Sequence, residues 1–258
     1  PKSFHLLRIR PDGGVETLGN LKGRAHGLTF SPQSSSLTVF ARRPGTFAVT
    51  LSDAAQASFE VATNLRLNGH GTYSPDGSQI FATANDYEAG RGVILQIDAA
   101  TGRPIARWPS GGLGCHEVIL GADQRHLIVA NGGVKTHPDY PRVKLNLDTM
   151  RSSVAMIDIR SGRLKGKVEL APQPLSIRHL TQSPRGLTAL GLQYYGSPRA
   201  RDVLAVQQNE QVTPIPLPAA VTERMKNYCG SIRFDQTGDF LAATSPKGGY
   251  CAILKRSG

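Results

Sequence analysis

The chain has only three cysteines, Cys115, Cys229 and Cys251, too few and too scattered for a disulfide framework. It contains no Cys-x-x-Cys, which excludes a zinc knuckle and a thioredoxin-like redox motif. Long apolar runs are missing too. Stretches such as Val118 to Leu120 and Leu127 to Ala130 fall far short of the roughly 20 residues a membrane helix needs, so no membrane span is expected. No window holds a sustained helical period. There is no Gly-x-Ser-x-Gly elbow, no P-loop and no Gly-x-Gly-x-x-Gly after a strand; Gly111-Gly112-Leu113-Gly114 reads as a loop between repeats. Aromatics are scarce at 6%, and the formal charge of +11 is spread over scattered Lys and Arg with no basic run. That pattern describes a solvated basic surface rather than a nucleic-acid interface. No secretory leader is visible, since Pro1-Lys2-Ser3-Phe4 reads as the approach to a strand, as it also would in a processed chain.

What the chain does have is an internal repeat. The segments FSPQSSSLTVFA (30–41), YSPDGSQIFATA (73–84), LGADQRHLIVA (120–130), QSPRGLTALG (182–191) and FDQTGDFLAA (234–243) share one pattern. Each has an apolar residue, a turn built from Pro, Asp or Gly, and a return strand with apolar alternation. A second hairpin often follows, as in Val93 to Trp108 and Val154 to Leu170, turning at Asp98 to Gly102 and Asp158 to Gly162. Two hairpins per repeat make four strands, and a period of about 40–50 residues is the mark of a β-propeller. The expected fold is therefore all-β: one propeller domain over 1–258, built of four-stranded antiparallel blades. Four repeats look complete. Residues 4–20 read as the outer two strands of another blade and the C-terminal repeat as a partial one, so part of the ring is expected to be missing.

Histidines recur at one register. His26, His70, His116 and His179 stand three or four residues before Phe30, Tyr73, Leu120 and Gln182, which open the hairpin turns, and Cys229-Gly230-Ser231 takes the corresponding place in the fifth repeat. The innermost strand of a blade lines the central channel, so matching positions in successive blades converge at one rim. The histidines are candidate ligands for a transition metal, with Glu117 or Cys229 as a possible charged addition. Arg24 and Arg178, just upstream of register histidines, are positioned to balance a bound anion. The competing reading is structural, with His-Gly capping the inner strand against the next blade. His5 and His126 are off register and expected at the surface. Asn85-Asp86 and Asn131-Gly132 end the second strands of their blades and read as turns rather than ligands.

Residues 131–150, NGGVKTHPDYPRVKLNLDTM, interrupt the third repeat. A polar loop of this length usually covers a site or meets a partner. His137, Asp139, Tyr140, Arg142, Lys144, Asn146 and Asp148 are its candidates for reaching over the channel mouth.

The segments FARRPGTFA (40–48), GHGTYSPDGSQIFATANDYEAGRGVI (69–94), HEVIL (116–120), ANGGVKTHPDYPRVKLNLDTM (130–150), LSIRHL (175–180) and AATSPKGG (242–249) carry a resemblance. The chain resembles a bacterial family of uncharacterised propeller proteins exported with a twin-arginine signal. Cys115 departs from that pattern, where proline is expected, and so does Leu192-Gln193-Tyr194-Tyr195-Gly196, which replaces a Cys-Gln-Tyr-x-Gly stretch. The resemblance implies a seven-bladed propeller in the periplasm, found near imelysin-like and di-haem-oxidase-like proteins of iron uptake. The resulting expectation is a periplasmic propeller binding iron or copper, or a metal-bearing partner such as an iron-uptake or haem-containing protein, at a histidine-lined rim. Two rivals remain: a lactonase-like hydrolase with a channel-bound metal, and a pure interaction scaffold.

Overall fold

The computed structural model describes residues 3–52, 56–140, 143–170, 174–197 and 199–256. Its architecture is a partial β-propeller. A two-stranded hairpin, β1 (Phe4–Ile9) and β2 (Val15–Leu21), precedes the first blade. Blade 1 is β3 (Ala25–Phe30), β4 (Leu37–Ala41), β5 (Phe47–Leu51) and β6 (Gln56–Glu60). Blade 2 is β7 (Leu65–Tyr73), β8 (Gln79–Asp86), β9 (Arg91–Asp98) and β10 (Pro104–Pro109). Blade 3 is β11 (Cys115–Leu120), β12 (His126–Asn131), β13 (Ser153–Asp158) and β14 (Leu164–Glu169). Blade 4 is β15 (Leu175–Gln182), β16 (Thr188–Tyr194), β17 (Leu204–Gln208) and β18 (Gln211–Pro214). A short helix, α1 (Ala219–Arg224), leads to a three-stranded blade 5: β19 (Ser231–Phe234), β20 (Phe240–Ser245) and β21 (Tyr250–Lys255). Every pairing is antiparallel between sequence neighbours. No helix among the described residues is long and apolar enough to cross a membrane.

The turns follow the sequence chemistry. Asp98 Oδ1 accepts hydrogen bonds from the Thr101 backbone N–H and hydroxyl, and Asp158 does the same with Ser161. These bonds hold both carboxyls below their usual range, the Asp158 group at about 2.

The core lies in the seams between blades. Phe40 and Ala48 of blade 1 pack on Leu67, Ile80 and Leu95 of blade 2. Phe81 and Ile94, pointing the other way, meet Val118, Leu127 and Ile157 of blade 3. Ile128 and Val154 then join blades 4 and 5 through Ile177, Leu190, Leu204, Ile232 and Leu241. The middle strands are thus buried on both faces, so β8 is buried almost throughout instead of alternating between buried and exposed. Inner strands follow one another around the axis, β3 on β7, β7 on β11, β11 on β15 and β15 on β19; among the described residues no comparable contact returns from β19 to β3. They enclose a channel of about 770 Å³ lined by residues such as Thr72, Glu117, Thr181 and Arg233.

Inner strands can approach this closely only where side chains are small. A Cβ on Gly71 would overlap the edge of the Phe40 ring and the Phe81 carbonyl oxygen, both fully buried. Gly71→Ala is therefore expected to lower the unfolding free energy by about 1–3 kcal/mol through overpacking. Urea unfolding checks this, and an unchanged midpoint would show that the seam yields there.

Candidate metal centre at the channel rim

The register histidines sit at irregularities in strand pairing. Between Ala25 and Leu28 the ladder of β3 slips, enclosing His26 and Gly27. In β7 the slip lies between Leu67 and Gly71 and encloses His70; in β11 it lies between Cys115 and Glu117 and holds His116. In β15 it falls between Ile177 and His179, so Arg178 is the extra residue. A bulge bends its strand and turns a side chain away from the regular alternation. Here it recurs at one height in four successive inner strands. Gly69, inside the β7 bulge, has φ of 96°, a conformation that few L side chains adopt, and it lies against the His26 ring.

Four imidazoles are thereby gathered. Ring centroids are 4.8 Å apart for His26 and His70, 4.8 Å for His70 and His116, 4.9 Å for His116 and His179, and 5.5 Å for His70 and His179. His26, His70 and His116 each present a nitrogen within 4.8 Å of the others. His116 and His179 are buried, at 7% and 6% exposure. Polar ties across the seams fix the backbone beneath the rings. Thr83 Oγ1 lies 3.1 Å from the His70 carbonyl and 3.0 Å from that of His116, and Asn68 Nδ2 donates to the Cys115 carbonyl at 2.6 Å.

Glu117 is the anion of the cluster. Its Oε1 is 3.5 Å from His70 Nδ1, and its Oε2 is 3.2 Å from His179 Nδ1 while accepting from the Leu180 N–H at 2.7 Å. Burial pushes this carboxyl up, but His70, His179 and the Leu180 bond outweigh it and leave the group below its usual value. Burial drives His70 down to about 3 and His116 well below the usual imidazole range. His26 is lowered as well, first by burial and then by His179, Arg42 and Arg178. These three imidazoles are neutral at pH 7, the form that binds metals. Two of their buried nitrogens, His70 Nε2 and His116 Nδ1, have no hydrogen-bond partner among the described residues.

Other expectations fare differently. Cys229 does not join the histidines: its thiol donates to the Ser231 carbonyl, packs against Gly191 and is pushed up to about 12 by burial. Arg24 is exposed at the surface, whereas Arg178 does stand beside the cluster. His5 pairs with Asn20 and His126 with Asp123, away from the rim rings. Asn85, Asp86 and Asn131 end the second strands of their blades as expected, but they are buried rather than in open turns. Asn131 exchanges hydrogen bonds with Ser110, Asn85 donates to Asn68, and Asp86 pairs with Arg107 at 3.2 Å.

The 131–150 loop leaves the same rim as the histidines. His137 stands 6.2 Å from the Tyr87 ring and 3.5 Å from Asp139, and Lys144 lies over the Tyr195 ring at 4.8 Å. Asn146 braces the loop itself, through Lys135 and Gly133. Tyr140 and Asp148 are exposed, and Arg142 lies outside the described residues. Sequence reasoning missed Arg42 and Arg43, whose charges act on the cluster: Arg42 on His26 and Arg43 on His116. The available signal was their place just after β4, whose end meets the rim.

The fold is shared with solved propellers at low identity. The β-propeller domain of Myceliophteria thermophila Cps50 (Swd1) superposes with a TM-score of 0.65 at 13% identity, covering 93% of this chain and 73% of that one. Hydrazine synthase of Kuenenia stuttgartiensis gives 0.63 at 11% identity, covering 97% and 83%. No curated protein matches in sequence. Residues 19–258 match the family described as "Protein of unknown function (DUF1513)", and the chain belongs to that family.

Proposed function

We propose that this propeller binds one transition-metal ion, iron or copper, at the channel rim through His26, His70 and His116. His179 supplies a fourth imidazole, and Glu117 orients it and His70 from behind. The observation that carries the reading is the pair of buried, unpartnered nitrogens, His70 Nε2 and His116 Nδ1, in a group of neutral imidazoles. A buried ring nitrogen without a partner is costly, and a metal ion satisfies several at once. Imidazole suits Fe, Cu, Zn and Ni. At metal–nitrogen bonds of about 2.1 Å, bound nitrogens lie roughly 3–3.5 Å apart. The rings therefore draw inward on binding, a change that side-chain torsions supply. Glu117 touching the Nδ1 atoms of two histidines is the arrangement by which a carboxylate fixes a ligand's tautomer and raises its basicity.

Both Glu117 oxygens are engaged, so the carboxylate is not free to act as the base of a metal-activated water. That favours holding or handing on an ion over hydrolysis. The wider reading is a periplasmic protein of iron acquisition, which rests on the resemblance to exported propellers. Its partner contact is the 131–150 loop, where Tyr140 is 64% exposed.

Elemental analysis of the tag-free protein tests the site. About one iron or copper per chain is expected, lost in a His70→Ala/His116→Ala variant that keeps its strand signal. A wild type that takes up neither ion on addition contradicts the proposal. Glu117→Gln, which keeps the shape and an acceptor for Leu180, is expected to weaken the ion's affinity about 10–100-fold in chelator competition. Unchanged affinity would show that the carboxylate does not support the ligands.

A further inference from the structure

Two arginines, Arg43 and Arg178, have no ion-pair partner among the described residues. Arg43, on the loop between β4 and β5, is half-buried, and the Gly45–Leu67 bridge ties that loop to the start of β7. Its charged neighbourhood is Arg178 of β15, Tyr87 beyond β8, Tyr195 beyond β16, and Arg42. This guanidinium from blade 1 thus interacts electrostatically with groups on blades 2 and 4. Burial and then Arg178 lower its pKa, the sign of two cations confined together. Arg178 is the bulge residue beside His179, and its Nε is buried with no acceptor.

Among the described residues, neither guanidinium makes an ion pair or a side-chain hydrogen bond. Glu117, the carboxylate of the histidine cluster, is already engaged by His70 and His179. Confining two like charges while leaving a buried guanidinium donor unpaired is unfavourable unless an acceptor comes from outside. The planar fork of an arginine matches two oxygens of a carboxylate or phosphate. The phenol rings of Tyr87 and Tyr195 share the neighbourhood.

We infer that Arg43 and Arg178 form a binding site for a small oxyanion, a carboxylate or phosphate group, at the channel mouth directly above the histidine cluster. The site stands on the arginines alone and does not require a metal on the histidines. Where an ion is bound below, the anion lies next to it, so the natural ligand is an anionic small molecule or an anionic chelate of the metal.

Isothermal titration of chelator-treated protein with inorganic phosphate, and separately with succinate, tests this. At least one probe is expected to bind, and the tighter one identifies the oxyanion class. Arg178→Gln and Arg43→Gln are each expected to weaken that probe at least tenfold. Arg160→Gln, an exposed arginine at the opposite end of its blade, is expected to leave it unchanged. Melting temperatures within the wild-type range establish that the variants are folded, and Arg43→Lys, which keeps the charge but loses the fork, is expected to fall between wild type and Arg43→Gln. Three results would overturn the inference: no binding of either probe, equal loss in Arg160→Gln, or binding only after metal is added, which would assign the anion to the ion alone.

Discussion

At the start of each of the first four inner strands, the backbone carries extra residues against its partner strand, and the candidate centre depends on that offset. A regular strand would send alternate side chains into the two neighbouring seams, where Phe40, Phe81 and their neighbours already fill the space. In the first three blades the bulge releases the histidine itself from that alternation, and in blade 4 it releases Arg178, next to His179. Because the blades are copies, the release happens at the same height each time, and four imidazoles gather with the ring centroids of successive blades 4.8 to 4.9 Å apart. Blade 5 has Cys229 and Gly230 there and no bulge in its described pairing, and it contributes no imidazole.

Electrostatics follows from this convergence. Burial of His70 and His116, and partial burial together with the neighbouring positive groups at the more exposed His26, keep protons off these rings, and one carboxylate, Glu117, holds His70 and His179. The rim above adds guanidinium groups from blades 1 and 4. A set of neutral nitrogen donors beneath an uncompensated cationic mouth is suited to an ion together with its anion, rather than to a bare cation.

Much of the architecture could be read from the chain. The blades were legible because Ser-Pro, Asp-Gly and Asp-x-x-x-Gly turns recur at a propeller period, and local turn chemistry is little altered by tertiary context. The histidine register was legible because its offset from those turns is nearly constant. The bulges were not, since an extra residue in a strand has no compositional mark beyond Gly69. Asn85 and Asn131 look like turn residues by propensity, yet buried amide hydrogen bonds to Asn68 and Ser110 hold them in strands. Arg43 was hidden for another reason: its reach depends on a loop pinned to the neighbouring blade by the Gly45–Leu67 bridge, a contact no local pattern announces.

The most direct test is X-ray absorption at the iron or copper edge of the metal-loaded protein. The account predicts a first shell dominated by nitrogen at roughly 2.0–2.1 Å, with the outer-shell multiple scattering of at least three imidazoles. A shell of oxygen scatterers without imidazole features would contradict it and return the four histidines to a purely structural role in joining the blades.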